Sequence, residues 1–531
     1  MTTILILGAG VMQEPGIRIA RRKGWRVILA DGNARAIARD SADVFECTDL
    51  KDKDGLLRFA RSIREMSGLD GIFTAGTDFS SSVAWVAEKL GLPGISYATA
   101  MRATDKCLMR AAFDAAGVPS PLFASWAGTG EPESSLLPDM TYPMVVKPVD
   151  NMGARGVRRV DNPSQLRNAC LAALPLSRSS RVIIEEYMEG PEFSLDAIVY
   201  KGDVTVCGVA DRVIRFPPSF VEMGHTMPTC FAPETVRAVE SVFLAGIKAI
   251  GIDNGAAKGD IKLTPKGPMV GEIAARLSGG YMSGWTFPLA SGVEVTEAAL
   301  NIAVGLPPGD LAPRLNKVCA ERALISIPGI VEQVSGAERA SQVKGVSGVF
   351  LRISAGDAVV FPSNNVQKCG NVLAVGDNPD EADSAASRAL GRFQIRLRPL
   401  VRVTTDHLLL NGQHDCFAGL PAELRTEILS MPAFRGDPSA IDPGIPLAIE
   451  ILTGWDTCHE RDWHGVEFTD SVRLACEQGG GALLPRGEVF QLSGLFWRAL
   501  IRGGHQGATY VIDSAREAGR RGALKEFLAG S

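Results

Sequence analysis

Apolar and polar positions alternate between two periods along the chain. Thr3–Leu7 is an unbroken apolar run of strand length, Gly16–Lys23 carries helical spacing, and Trp25–Asp31 is a second apolar run. Asp70–Thr74 then predicts a strand, Gly76–Asp78 a loop and Ser80–Leu90 a helix that ends before Gly91, Pro93 and Gly94. This is a βαβ opening with continued α/β alternation over residues 1–100. Further on, Tyr142–Lys147 predicts a short strand, Asn151–Val157 a glycine loop, Arg181–Met188 a strand running into a polar hinge, and Gly190–Asp196 a new strand. Asp260–Leu263 and Met269–Ile273 flank the turn Thr264–Pro268 and read as a hairpin. Residues 320–401 are strand-rich, with short strands at Gly348–Ile353 and Gly370–Gly376 and a helix over Glu381–Arg392. Helical spacing returns at Glu460–Gln478, Glu488–Gly503 and Ile512–Leu528.

The hairpin brings chemistry into this pattern. Asp260 and Glu272 stand on its two strands, and Arg276 follows. Paired hard oxygens suit Mg²⁺, which takes one or two carboxylates together with substrate phosphates; an acidic surface hairpin is the bland alternative. Lys147 ends its strand just before Gly153, Arg155 and Gly156. Glycines let backbone N–H groups approach anionic oxygens, and the lysine adds a point charge. The hinge Glu185, Glu186, Tyr187 and Met188 offers a surface for a nucleotide base.

Composition narrows the function. At 531 residues the chain suggests three or four domains, using roughly 100–200 residues for each. A net charge of −5 without a long basic run argues against nucleic acid. The ten cysteines form no C-x-x-C pair, and no apolar stretch reaches about 18–20 residues. A soluble, reducing, cytoplasmic protein with no membrane partner is expected.

The order of these motifs resembles the ATP-grasp superfamily over about residues 1–403. Five separated motifs carry the resemblance: Thr104–Lys106 with Arg110, Val146–Pro148 with its glycine loop, Glu185–Met188 with Glu192, Asp260–Lys262, and Glu272–Arg276. It implies an α/β and α+β multidomain fold. The expected parts are a Rossmann-like N-terminal domain (1–100), an ATP-grasp core (101–310, lid about 140–200), a small strand-rich domain (311–403) and a mostly helical appendage (404–531). It also implies that Lys106 and Lys147 contact ATP phosphates, that the backbone at Glu185 and Met188 reads adenine, and that Glu192 meets the ribose. Asp260 and Glu272 would bind Mg²⁺, with Mn²⁺ as an alternative, and Arg276 would face an acyl phosphate.

Two departures from the family's pattern stand out. Ala274 occupies the position of an asparagine metal ligand, which makes a second metal less secure, and Ala154 replaces a hydroxyl residue in the glycine loop. The stretch Phe220–Thr229 is similar to one in L-amino acid ligases, implying that Glu222 and His225 orient an amino acid and that Ser278, Gly279 and Gly280 cradle its carboxylate. The implied activity is ADP-forming ligation of a small carboxylate to an amine, in the L-amino acid ligase or carbamoyl-phosphate-synthase-like branch; a homodimer is compatible with it. Enzymes of nucleotide-precursor or carboxylation metabolism, and a non-catalytic ATP-binding regulator, are the alternatives.

Gly8 and Gly10 resemble a dinucleotide turn, but Gln13 replaces the third glycine. Five of the six histidines lie past residue 404, and Cys458, His459, His464 and Cys476 suggest zinc, yet their spacing fits no standard finger. Arg352 and Lys368 read as surface charges, with a place lining the ATP site as the alternative.

Overall fold

The computed structural model describes residues 1–410, 414–423, 425–426, 458–479, 486–523 and 526–527. The chain divides into two compact units. The first comprises Met1–Glu321 with Ser363–Asn365 and Val375–Ala382; the second comprises Arg322–Pro362, Val366–Ala374 and Asp383–Ser531.

The first unit opens with a parallel sheet of strands β1 (Thr3–Leu7), β2 (Arg26–Asp31), β3 (Val44–Cys47) and β4 (Gly71–Phe73), in the order β3-β2-β1-β4. Strand β1 is apolar throughout because both faces are covered. Ile4 and Ile6 join the core containing Ile17 and Leu300, whereas Leu5 and Leu7 join the one containing Leu56 and Val86. In the turn after β1, buried Gln13 exchanges two hydrogen bonds with Ala75: Nε2 donates to its carbonyl at 2.7 Å and Oε1 accepts from its amide at 3.1 Å. A side chain on Gly8 would stand 3.2 Å from Gln13. The glutamine thus occupies the position where a dinucleotide turn carries its third glycine and ties the turn after β1 to Ala75.

The second sheet contains β5 (Phe123–Trp126), β6 (Met144–Pro148), β7 (Arg158–Val160) and β8 (Val182–Glu186), in the order β5-β8-β6-β7, with the helix Pro163–Ala173 packed against it. The third is antiparallel: β9 (Glu192–Tyr200), β10 (Asp203–Arg215), β11 (Val221–Met227), β12 (Gly255–Thr264) and β13 (Gly267–Ala274) run in the order β13-β12-β9-β10-β11. Strand β14 (Val318–Leu324) begins beside β11. Helix Pro233–Ile250 lies on this sheet, and Gly259 is required beneath it, since a Cβ there would meet the Phe243 ring at 2.5 Å.

In the second unit, β15 (Gly329–Ser335) pairs with β17 (Ala358–Val359) and β19 (Gln394–Leu397), while β16 (Val346–Leu351) pairs with β18 (Gly370–Gly376). From the stretch expected as an appendage (404–531), the described residues Leu408, Leu409, Tyr510 and Val511 share a core with these strands, packing with Leu324, Val331 and Val372. A second cluster gathers Phe417, Phe468, Phe496 and Trp497. The helix expected from Glu460 starts only at Phe468. Before it, the Asp462 carboxylate accepts from the amides of His464 and Val466, both at 2.9 Å, and holds a turn that competes with helix. Segment Arg486–Arg520 is helical on both sides of a break at Gly504 (φ 56°, ψ −153°), directly after the expected helix end at Gly503. Lys368, read as a surface charge, is only 5% exposed; Arg352 is exposed and donates to Asn371 at 2.7 Å. The side chain of Cys476, one member of the zinc alternative, lies outside the described residues. No helix among the described residues is long and apolar enough to cross a membrane.

Candidate active site

The β12–β13 hairpin sets the geometry of the site. Asp260 pairs directly with Glu272 in the ladder, followed by a register shift between Asp260 and Ile261. Glu272 keeps about a third of its side chain accessible, and Lys106 lies 3.9 Å away. Burial pushes its carboxyl pKa up, but Lys106, Lys258, Lys147 and Arg276 outweigh burial and bring it down to about 2. Asp260 contacts Lys258 and lies 3.0 Å from Arg212. The two carboxylates offer oxygen donors that fit Mg²⁺, whereas Ala274 ends β13 without a ligand atom.

Lys147 projects from β6 beside this hairpin. Its Nζ is 2.5 Å from Glu185 Oε2, and Arg110 reaches Glu185 Oε1 at 2.8 Å. Glu185 is 1% exposed; burial raises its pKa, but the two cations prevail and hold it low. Its side chain therefore orients Lys147, while its backbone is paired with Phe123 and Val145 inside the second sheet. Lys106 is buried and donates to the Asn151 carbonyl at 2.8 Å, at the start of the glycine loop.

Gly153, Ala154 and Gly156 all adopt left-handed backbone, with φ of 68°, 58° and 72°. Successive turns of this kind direct amide N–H groups into a concavity suited to anions. Arg155 folds back on its own loop, donating to the Met152 carbonyl at 2.9 Å. At the hinge, Glu186 pairs with Lys266 at 2.8 Å and Lys262 donates to the Met188 carbonyl at 3.0 Å. The Tyr187 ring stacks with Phe220 at 6.2 Å and lies under Arg159 and Lys262.

Arg212 was not singled out in the sequence. From β10 it contacts Glu192, Asp260 and, at 2.8 Å, Glu222 Oε2, joining the expected ribose, metal and substrate carboxylates. Its signal was an arginine after Asp211 in a strand otherwise rich in valine and isoleucine. Asn365 was also missed, because it is distant in sequence; its amide donates to the Gly153 carbonyl at 3.0 Å and its side-chain oxygen accepts from the Glu222 amide at 2.8 Å.

The remaining expected residues gather at the end of β13. Arg276 donates through Nε to the Thr77 carbonyl at 2.9 Å and through Nη1 to the Leu277 carbonyl at 3.0 Å. Burial lowers its pKa, opposed by Glu272, Asp260 and Asp196. Ser278 and Ser283 are held by buried Asp196, which accepts from the Ser278 amide at 3.0 Å and the Ser283 hydroxyl at 2.7 Å. Gly279 packs backbone to backbone on Gly76, and Gly280 is left-handed at φ 63°. His225 lies buried in β11, 2.7 Å from Thr286 Oγ1, with Glu222 at 4.0 Å and Glu321 at 3.4 Å. Glu321, also missed, comes from a strand nearly a hundred residues further along the chain.

Comparison with known proteins identifies three matching domains. Residues 140–284 match the ATP-grasp domain model, residues 17–94 the ATP-grasp N-terminal domain and residues 322–398 the L-amino acid ligase C-terminal domain 2. The chain is 26% identical over 356 residues to the uncharacterized protein y4rH of Sinorhizobium fredii, covering 66% of this chain and 73% of that one. It is likewise 26% identical over 423 residues to carnosine synthase 1 of Gallus gallus, covering 74% of this chain but only 44% of the relative. Among solved structures, L-amino acid ligase from Bacillus licheniformis superposes with a TM-score of 0.67 at 21% identity, over 75% of this chain and 99% of that one. Phosphoribosylglycinamide synthetase from Anaerococcus prevotii gives 0.60 at 21% identity, over 75% and 100%. At these identities the superpositions speak for the fold.

Proposed function

Because the chain belongs to the ATP-grasp superfamily, we propose that it is an ADP-forming ligase that joins a small carboxylic acid, in the first instance an amino acid, to an amine. One observation carries this reading: Asp260 and Glu272 face each other across the hairpin while Lys106, Lys147 and Arg276 all bear on Glu272.

In the proposed reaction a carboxylate oxygen of the acid attacks the γ-phosphorus of ATP, the bond to the bridging oxygen breaks, and ADP leaves. The amine nitrogen then attacks the carbonyl carbon of the acyl phosphate; the carbon–oxygen bond to phosphate breaks, and the nitrogen loses a proton as the amide forms. Asp260 and Glu272 would hold Mg²⁺, which supplies charge neutralisation on the phosphates. Lys147, steered by Glu185, and Lys106, steered by Asn151, offset negative charge on the transferring group. Arg276, fixed by the Thr77 and Leu277 carbonyls, stands ready for the acyl phosphate. Their orientation in advance of the reaction is the catalytic device. The left-handed backbone at Gly153, Ala154 and Gly156 supports phosphate binding, the Tyr187–Met188 hinge supports adenine binding, and Glu192 supports ribose binding. Glu222, His225 and the Ser278–Gly280 loop orient the acid.

The test measures ADP and phosphate release from Mg-ATP with pooled L-amino acids, beside K147A and E272Q, with mass spectrometry for new amides. Release that needs an amino acid, yields a condensed product and falls at least about 100-fold in both variants is expected. Amino-acid-independent turnover, or full activity in E272Q, would overturn the reading.

A further inference from the structure

We propose, on the ligase reading above, that Asp78 is a positioning residue: it latches the glycine loop over the bound nucleotide and, through its neighbour Thr77, ties that closure to the setting of Arg276.

Asp78 stands in the loop 74–79 that follows β4, and the base of this loop is fixed. Thr74 Oγ1 donates to the Leu7 carbonyl at 2.8 Å, Gln13 brackets Ala75, and the Gly76 amide donates to the Leu277 carbonyl at 3.2 Å. The rim of the loop meets two sets of partners. The Thr77 carbonyl accepts from Arg276 Nε at 2.9 Å. The next residue, Asp78, accepts from Arg178 through Oδ2, and Arg155 Nη2 lies 3.9 Å from the same oxygen. Both arginines come from loops of the second sheet, Arg155 from the glycine loop and Arg178 from the stretch 177–181 just before β8. Asp49 also bears on the charge of Arg178.

Arg178 is built into the start of the glycine loop. Asp150 accepts from the amides of Arg178 and Ser179 and from the Ser177 hydroxyl, each at 2.9 Å, and Asn151 Nδ2 donates to the Leu176 carbonyl at 2.9 Å. The Asn151 carbonyl in turn receives Lys106 Nζ at 2.8 Å. Hydrogen bonds therefore lead from Asp78 through Arg178 and Asp150 to the glycine loop and Lys106, while a single backbone step leads from Asp78 to the carbonyl that holds Arg276. The side chain of Asp78 is 17% accessible, and those of Arg155 and Arg178 are 39% and 35% accessible. Ion pairs this open to solvent add little to a static fold. They suit a contact that is made and broken in each turnover, as nucleotide enters and product leaves.

The latch matters most at the acyl phosphate. Attack by the amine on its carbonyl carbon gives the amide. Attack by water on the same carbon breaks the same carbon–oxygen bond, returns the free acid and phosphate with loss of a proton, and consumes ATP without product. A loop held closed keeps water out, so loss of Asp78 shows as ADP released without amide.

The experiment measures ADP and amide in the same reactions of the full chain, with Mg-ATP and the amino acids that support release, for wild type, D78N, D78E, R178Q and D78N/R178Q. D78N and R178Q are each expected to raise the ratio of ADP to amide by about 3-fold or more, and the KM for ATP by about 3- to 10-fold. The double variant is expected to match the single ones, since both remove one contact, and D78E, which keeps the carboxylate, to stay nearer the wild type than D78N. A wild-type ratio in D78N overturns the proposal, as do effects that multiply in the double variant. A fall in kcat with the ratio unchanged, the mark of a merely structural fault, overturns it too. Hydrogen exchange gives a readout without turnover: Mg²⁺ with a non-hydrolysable ATP analogue is expected to slow exchange at amides 150–156 about 10-fold more in the wild type than in D78N, and equal slowing overturns the latch. If no amino acid yields an amide, the ligase reading fails and the exchange measurement decides the latch alone. If amide forms while D78N keeps the wild-type ratio and protection, the latch fails and the ligase reading stands. R178Q, on an exposed loop, carries the same measurements if D78N does not fold.

Discussion

Arg212 Nη1 lies 3.0 Å from Asp260 Oδ1, and the same guanidinium also contacts Glu192 and Glu222. One buried cation thereby neutralises carboxylates expected to serve nucleotide, metal and acid. Burial disfavours its charge, yet Asp260, Glu222 and Glu192 prevail and raise its pKa. R212Q removes the cation and leaves three acids in one place, a change of about 3–5 kcal/mol in stability. With Mg²⁺ held at Asp260 as proposed, urea unfolding of R212Q should recover part of that loss with saturating Mg-ADP, beyond the gain seen in the wild type. An equal ligand gain in both proteins would contradict the linkage.

The Arg110–Glu185 pair makes a different kind of prediction, since both side chains are at most 1% exposed. R110M leaves Glu185 with Lys147 as its remaining named cation and should cost about 3–5 kcal/mol. The double variant R110M/E185L removes both buried charges and should regain most of that stability without regaining activity, because Lys147 has lost its guide. Denaturant unfolding and ADP release, measured on the same samples, separate the two effects; additive losses in stability would refute the coupling.

The glycine loop can be tested at two neighbouring positions. A Cβ on Gly156 would meet Leu176 Cδ1 at 2.8 Å and Pro148 Cγ at 3.0 Å, at a φ of 72° that alanine resists. G156A should therefore raise the KM for ATP by about 10-fold or more. Ala154 already holds such a conformation at φ 58°, and A154G should relieve roughly 1 kcal/mol of backbone strain. An ATP titration that leaves G156A at the wild-type KM would count against phosphate binding by this loop.

His407 predicts a pH dependence in the second unit. Burial, reinforced by His414 and Arg502, lowers its pKa to about 4. The unfolded chain takes up this proton near pH 6.5, whereas the folded chain resists it until about pH 4. The stability gained from keeping the ring neutral is complete above the unfolded pKa and is lost as pH falls through this window, by roughly 2–3 kcal/mol. The difference in melting behaviour between wild type and H407F, followed from pH 7 to 4, should shrink or reverse on acidification. A difference that is constant with pH would rule the histidine out as the cause.

Much of the candidate site was legible as segments because its proposed groups lie in short local stretches. Lys147 ends a strand before its glycine loop, and a two-strand hairpin suffices to place Asp260 opposite Glu272. The hinge Glu185–Met188 was legible as a segment, but the engagement of the Glu185 carboxylate with Arg110 and Lys147 was not, since it depends on helix Lys106–Ala115 meeting the second sheet. The helix expected from Glu460 failed for a local reason: the Asp462 side chain captures the amides that helix formation needs. The shared core of the strand-rich region and the tail was hidden because amphipathic spacing shows that a face is buried without showing against what.

By itself the sequence determined the strand–helix–strand opening, the glycine loop after Lys147 and the acidic hairpin with its arginine, since each depends on neighbours within about a dozen residues. The tertiary structure alone decided the rest. Arg212 gathers Glu192, Glu222 and Asp260 only because β10, β9, β11 and β12 share a sheet, and Glu321 reaches His225 only because β14 starts beside β11. Contacts of this kind come from strand order, and strand order is set by how whole faces are buried.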